Sequence, residues 1–296
     1  MRLPALSLVA ALCLTTATAH ADEPNTEAAV ENAIREYVHA KYTGDVTGVK
    51  SRAHHGIARA VVEHTYWGKP SDDWVRRFSQ DHLAFYGTSY NDVLRDDPST
   101  GRIDIQVYDL EQRTAAARVI MEDVVDFMHL VRWNGRWMIA DSAVIVLEEA
   151  GADPPSVDMS EQAAIESVVR DYAMGFYEVD GAKVQNTCHS SLSKRAVADR
   201  REGVDFDVFD FIDHAQIALL GNTFNTYWNF DPAEARVAVE VYEIRDGIAA
   251  AKLTGTVWFD YFHLAKIGDT WKIVNIMFES LPQDRWVNLP PRPDQG

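Results

Sequence analysis

The sequence predicts an α+β fold built twice in tandem. One block recurs along the chain at a nearly constant spacing. Each block opens with apolar residues at helical intervals. Each closes with alternating or apolar runs rich in Val, Ile and aromatics, separated by tight-turn residues. The expected shape is two cone-shaped domains, each with N-terminal helices packed on a curved antiparallel sheet that leaves a conical cavity.

The chain starts with a targeting pattern. Arg2 precedes the apolar run 3–14, and Ala19-His20-Ala21 gives an A-x-A cleavage pattern before Asp22. Residues 1–21 are expected to be a signal peptide cut after Ala21, which directs the protein to the periplasm or the medium. Cys13 fits a lipid anchor poorly, because Leu12 stands where such sites need a small residue. No later run reaches the ~20 apolar residues of a spanning helix, so no membrane contact is expected once the signal is gone. The formal net charge is −17, one unit lower without Arg2. That balance repels phosphate backbones and argues against nucleic acid as a partner. Cys188 is the only cysteine after position 21, so no intramolecular disulfide is expected. Beside His189 it has the form of a nucleophile, but a small buried thiol is the expected role.

The repeat sets the elements. Residues 27–42 (EAAVENAIREYVHAKY) align with 162–177 (QAAIESVVRDYAMGFY). Glu31 meets Glu166, Arg35 meets Arg170, Tyr37 meets Tyr172 and Tyr42 meets Tyr177, all at a spacing of 135. His54 meets His189 in the same register. Later the spacing becomes 134: VDFMHL (125–130) meets FDYFHL (259–264), and Trp137 meets Trp271. In the second copy Ile165, Val168, Val169, Tyr172, Ala173 and Phe176 mark the first helix, with Asp158 and Glu161 as a capping box. A short second helix follows Asp45 or Asp180. A third is expected over about 72–85, and its partner over 205–220. Strands are expected over 102–108, 115–121, 124–133 and 137–147. Asn134-Gly135 is a type I′ hairpin signal, and Gly268-Asp269 takes its place in the second copy. The domains are thus 22–147 and 160–281, with 148–159 as linker and 282–296 as a loosely held Pro-rich tail.

These residues carry a resemblance. Tyr177 with Asp180, His189-Ser-Ser-Leu-Ser-Lys194-Arg195 and FDYFHLAKIGDTWKIVN (259–275) resemble the nuclear transport factor 2-like superfamily, specifically its lumazine-binding branch. Tyr42, Gly44-Asp45, His54 and VDFMHLVRWNGRWMIAD (125–141) carry it in the first copy. The superfamily includes isomerases, dehydratases, cyclases, binding modules and interaction domains, so the resemblance implies the fold and not one function. The first copy departs at His55-Gly56-Ile57-Ala58-Arg59, which lacks the Lys-Arg pair of Lys194-Arg195.

Hairpin arithmetic sorts the polar residues onto faces. If Trp133 opposes Arg136 across a two-residue turn, Met128 opposes Asp141 and Asp126 opposes Ala143. Asp126, Met128, Leu130, Trp137, Ile139 and Asp141 then share the cavity face, with Phe127 and His129 behind. In the second copy Asp260, Phe262, Leu264, Trp271, Ile273 and Asn275 share it, with Tyr261 and His263 behind. An acid among apolar side chains suits a ligand cavity, and two neighbouring aspartates could share a proton. Tyr37, Tyr42, Tyr172 and Tyr177 on the first helices and His54 and His189 after the second complete the expected ligand-binding set. The residues on the His129 and His263 faces are apolar enough to bury against each other, which predicts an intramolecular pseudo-dimer. No HxH, HExxH or paired Cys implies a metal, and no nucleotide loop or nucleophile elbow implies a cofactor or hydrolase.

The reading is an exported protein that binds a small, partly apolar or aromatic molecule, with no cofactor. Two alternatives stay open: a cofactor-free isomerase, dehydratase or cyclase using an Asp with a His or Tyr, and a non-catalytic interaction scaffold.

Overall fold

A computed structural model describes residues 22–66, 69–94, 99–198 and 207–289. The expected signal peptide and residues 290–296 of the tail lie outside these. Helix α1 (Glu27–Thr43) begins where Thr26 is extended and its hydroxyl accepts from the Ala29 amide at 3.3 Å. It ends at Gly44, whose φ of 68° closes the last turn in the left-handed region. Val30, Ile34, Tyr37, Val38 and Lys41 are buried on it. Helix α2 (Val46–Arg52), strands β1 (Ala53–Tyr66) and β2 (Lys69–Phe78), helix α3 (Gln80–Leu94) and strands β3 (Asp104–Leu110), β4 (Thr114–Ile120), β5 (Val124–Trp133) and β6 (Arg136–Val146) complete the first copy. The second copy repeats the plan. It has α4 (Gln162–Tyr177), α5 (Gly181–Thr187), β7 (Cys188–Ala198), β8 (Val208–Ile212), α6 (His214–Gly221), α7 (Phe224–Trp228), β9 (Ala238–Arg245), β10 (Ile248–Thr254), β11 (Trp258–Ile267) and β12 (Thr270–Ser280).

The α+β plan in two copies is present, with differences in detail. Each sheet has six strands, ordered β2-β1-β6-β5-β4-β3 and β8-β7-β12-β11-β10-β9. The sheets are mixed, not wholly antiparallel, because β1 runs parallel to β6 and β7 parallel to β12. Each of those strands follows a helix pair instead of a hairpin. The helix expected over 72–85 is instead strand β2 up to Phe78 and α3 from Gln80. Its partner over 205–220 divides likewise into β8 and α6, where Asp213 and Gln216 form a reciprocal capping box. Asp158 caps only a short 3₁₀ turn. Glu161 leaves the expected box and accepts from Lys266 Nζ at 2.8 Å and Trp271 Nε1 at 2.7 Å. Asn134 and Gly135 both have positive φ, as a type I′ turn requires, whereas in the second copy Gly268 alone does.

A one-residue irregularity in each copy re-sorts the faces. Leu130 pairs with Ile139, but His129 pairs with Asp141, so Ala140 is an extra residue on β6. Leu264 pairs with Ile273 and His263 with Asn275, which makes Val274 the extra residue on β12. Such a bulge flips every later side chain to the other face. Tyr108 and Tyr242 occupy equivalent bulges on β3 and β9.

Each sheet covers its own helices with one face. Ile34, Tyr37, Met128, Leu130, Trp137 and Ile139 belong to the first core, and Ile165, Tyr172, Phe262, Leu264 and Ile273 to the second. The opposite faces share apolar clusters with each other. Val125, Phe127, Ala143 and Ile145 pack with Ile248, Ala250, Ala265 and Val274, and Val131 and Ala140 pack with Phe259, Tyr261 and Met277. At the rim Arg285 grips Glu111 with two bonds of 2.6 and 3.1 Å, and Trp286 Nε1 donates to the Leu281 carbonyl. The described part of the tail is therefore held and not loose.

Candidate functional site

Both cores contain a buried carboxylate facing a buried cation. In the first copy Arg59 on β1 places Nη1 3.0 Å from Asp126 Oδ2 on β5. In the second Lys194 on β7 donates to Asp260 Oδ1 at 2.7 Å and to the Tyr172 hydroxyl at 2.9 Å. Arg59 and Lys194 match at the spacing of 135 that aligns Tyr37 with Tyr172. The two copies therefore hold the same triad of tyrosine, cation and aspartate. Burial raises the Asp126 pKa, against the pull of Arg59 and Lys41. Burial also pushes the Tyr37 hydroxyl up to about 12, with Arg59 opposing.

The copies differ in what stands beside the triad. Beside it, the first copy has a cavity of about 230 Å³, lined by Lys41, Arg59, Val61, Arg76, Phe78, Leu83, Tyr86, Tyr90, Asp123, Val124, Val144 and Val146. In the second, Phe176 stands at the position of Lys41, Trp258 at that of Val124, Phe278 at that of Val144 and Phe224 at that of Tyr90. Phe176, Phe224 and Trp258 meet edge to face, with Phe224 and Trp258 centroids 4.9 Å apart. Trp258 Nε1 donates to Asp260 Oδ2 at 3.0 Å, so both oxygens of that carboxylate have protein donors. Phe278 lies under the Lys194 ammonium at 4.9 Å. Aromatic side chains thus occupy in one copy the positions that line an opening in the other.

None of the twelve residues expected to bind a ligand lines that cavity directly. Asp126 and Tyr37 sit behind Arg59. Tyr42 donates to the Arg102 carbonyl at 3.0 Å and accepts from the Glu122 amide at 3.2 Å, which makes it a core strut. Tyr177 likewise holds Thr256 and the Arg236 carbonyl. Tyr172 and Asp260 are tied to Lys194. Trp137 Nε1 donates to the Pro24 carbonyl at 3.1 Å and Trp271 to Glu161. His54 leaves the helix side altogether. Its ring packs on Phe209 of the second copy at 3.8 Å, and burial depresses its pKa to about 3. His189 is half-buried and bonded to Ser191 at 2.8 Å. Cys188 is buried, its thiol is pushed up to about 12 by burial, and its partner is Thr187.

The expected pairing of Asp126 with Asp141 in one cavity is corrected by the bulge at Ala140. Asp141 lies on the face turned to the second copy, where Ser193 Oγ donates to its Oδ1 at 3.0 Å. Burial pushes its carboxyl up to about 7, with Arg195 and Arg77 opposing. Asn275 is displaced in the same way by Val274. Its amide donates to the Ser142 carbonyl at 2.9 Å, and its oxygen accepts from Arg77. Arg195 donates to the Gly56 carbonyl across this seam at 3.0 Å. Lys41 was missed by sequence reasoning, although its counterpart Phe176 marks the substitution. Among the described residues no group of three or more His, Cys, Asp or Glu is placed to hold a metal ion.

Residues 25–143 and again 160–279 match the family described as "Putative lumazine-binding". No curated protein matches the chain. Similar solved structures include an NTF2-like protein from Shewanella baltica OS155 at 19% identity, covering 43% of this chain and 99% of its own, with a TM-score of 0.36. Another, from Methylobacillus flagellatus KT, has 14% identity, covers 44% of this chain and all of its own, and has a TM-score of 0.36.

Proposed function

Because the chain belongs to the "Putative lumazine-binding" family through both halves, we propose that it binds a small, partly apolar molecule, and that the first copy does the binding. One observation carries this: the cavity of about 230 Å³ lies where the second copy holds Trp258 and its aromatic neighbours. The volume is below the roughly 300–1,000 Å³ of sites for drug-sized ligands, which favours a compact one- or two-ring molecule. The lining is apolar along Val61, Leu83, Val124 and Val144 and polar at Lys41, Arg59 and Tyr90. That mixture provides burial for affinity and a few fixed groups for orientation.

The second copy is read as a partner that buttresses the first, with the two copies acting as an intramolecular pseudo-dimer. The shared apolar clusters between the sheets support this. The export reading rests on Arg2, the apolar run 3–14 and Ala19-His20-Ala21; among the described residues no helix is long and apolar enough to cross a membrane. Mass spectrometry of the mature protein tests export, with Asp22 expected as the first residue and an intact Met1 overturning it. An enzyme pairing Asp126 with His54 is not favoured, because Asp126 faces Arg59 on the helix side of the first sheet and His54 packs on Phe209 of the second copy.

The binding test uses isothermal titration with lumazine, benzoate and benzamide on the wild type and on Val124→Trp, which installs the residue of the second copy. Binding to the wild type and its loss from a folded Val124→Trp variant is the expected result. Equal binding to both, or none of the probes binding the wild type, would overturn it.

A further inference from the structure

We infer that the ligand of the first-copy cavity carries a carboxylate and that Lys41 is its anchor. This rests on the reading of that cavity as a binding site and names the class of molecule it takes. Lys41 lies in the last turn of α1, is 6% exposed, and lines the cavity. Its ammonium has three N–H groups to satisfy. Among the described residues the one acceptor it meets is the Met121 thioether at 3.9 Å, a weak one. The Tyr90 ring lies 4.5 Å away and the Tyr37 ring 5.7 Å away. Among the described residues no carboxylate oxygen lies within 4.0 Å of it. Removing an ammonium from water without an oxygen partner is strongly unfavourable. A structural lysine at this position would be expected to find a carboxylate, as Lys194 does with Asp260.

The fold itself does not require a cation here. The matching position on α4 is Phe176, buried in the second core. Neither nearby carboxylate bonds to Lys41: Asp126 faces Arg59, and Asp123 accepts from the Tyr90 hydroxyl. A monoanion in the cavity supplies the oxygen acceptors that the Lys41 ammonium lacks. Its carboxylate meets Lys41 beside Arg59, and its apolar body lies along Val61, Val124 and Val144. Val146 is 61% exposed and Tyr86 48% exposed; both belong to the lining, so the outer end of the ligand meets apolar surface as well.

The same geometry predicts a pH signature. The groups facing Lys41 are Tyr37 on α1, Arg59 on β1, Tyr90 on α3, Asp123 in the β4–β5 turn and Asp126 on β5. Burial first, and Arg59 second, lower the lysine to about 8, so it is the group that loses its charge just above neutrality. The affinity for an acid should fall as pH rises through 8, toward about tenfold per unit, while a neutral isostere is indifferent.

The test is titration of the wild type and of Lys41→Met with benzoate and with benzamide at pH 7, 8 and 9.5. The expected result is at least tenfold tighter binding of benzoate than benzamide at pH 7, a preference that declines by pH 9.5 and is absent in Lys41→Met. The wild-type pH series stands alone if the variant does not fold. Equal and pH-independent binding of the two probes overturns the carboxylate assignment and leaves the binding reading intact. Neither probe binding the wild type at any pH overturns the carboxylate assignment, and failure of lumazine to bind as well overturns the binding reading with it.

Discussion

The imidazole rings of His129 and His263 stack across the seam between the two sheets, with centroids 3.7 Å apart and 14° between their planes. Both are about 1% exposed, and His129 Nδ1 has no hydrogen-bond partner. Two protonated rings cannot occupy this arrangement at such a distance without strong repulsion. Burial holds His129 down to about 3 and drives His263 well below its usual range, with His129 and Arg77 adding to the latter.

Acid sensitivity follows with a definite sign. In the folded state His129 stays neutral between pH 6.5 and about 3, while the unfolded chain takes up a proton near 6.5. Its contribution to stability is therefore lost as pH falls through that window. His129→Phe should make the acid loss shallower by about 1.4 kcal/mol per pH unit between 6.5 and 4. Urea unfolding at a series of pH values measures this, and an unchanged slope would refute it.

Asp141 acts in the opposite direction. Its folded carboxyl, held near 7, keeps a proton that the unfolded chain releases above about 4. Its contribution is present at low pH and is lost as pH rises through 7. Asp141→Asn should steepen the acid loss by about 1.4 kcal/mol per unit between pH 7 and 4. The same unfolding series reads it.

The buried pairs are expected to be asymmetric in their response to substitution. Arg59→Met leaves the Asp126 carboxyl unpartnered in the core, a loss of about 3–5 kcal/mol. Adding Asp126→Leu should recover most of it, because an apolar pair of similar volume needs no solvation. Lys194→Met with Asp260→Leu should behave alike. A double variant no better than the single in urea would count against the pairing.

Trp258→Val should open in the second copy the space that the first copy has. The side chain is 4% exposed and packs on Phe176, Tyr177 and Phe224, so about 3–5 kcal/mol of stability should be lost. A crystal structure of the variant is the check, and collapse of Phe176 and Phe278 into the space would contradict the expectation.

Tyr42→Phe separates a strut from a ligand group. The hydroxyl it deletes serves the Arg102 carbonyl and the Glu122 amide, so about 1–3 kcal/mol should be lost. Titration with the probes that bind the wild type should be unaltered.

The repeat, both first helices and the four closing strands were legible, because periodicity and the Asn134-Gly135 turn are local signals. Strands β1 and β7 were not among those expected, and β2 and β8 were read as helix, since Asp72-Asp73 and Asp205 imitate helix caps while the strands are specified by pairing with β1 and β7. Ala140 and Val274 carry no mark of a bulge. Whether an alanine pairs or is skipped is decided by closure of the whole ladder, and this alone displaced Asp141 and Asn275 from the expected face. The cavity was readable in principle. Lys41 against Phe176, and Val124 against Trp258, are differences in charge and volume between aligned positions. The residues shared by the two copies mark the fold, and the unshared ones define the opening.

At the seam, residues meet their own counterparts: His129 stacks on His263, and Tyr108 on Tyr242 at 5.2 Å with planes 6° apart. Self-contact of this kind is the mark of a two-fold axis between identical chains. In a pair of identical chains every substitution is made twice, once on each side of the axis. A valine that leaves one cone open leaves both open, and a tryptophan that fills one fills both. Joining the copies in one chain removes that constraint. The two cones can then diverge residue by residue while the seam between them keeps its symmetry.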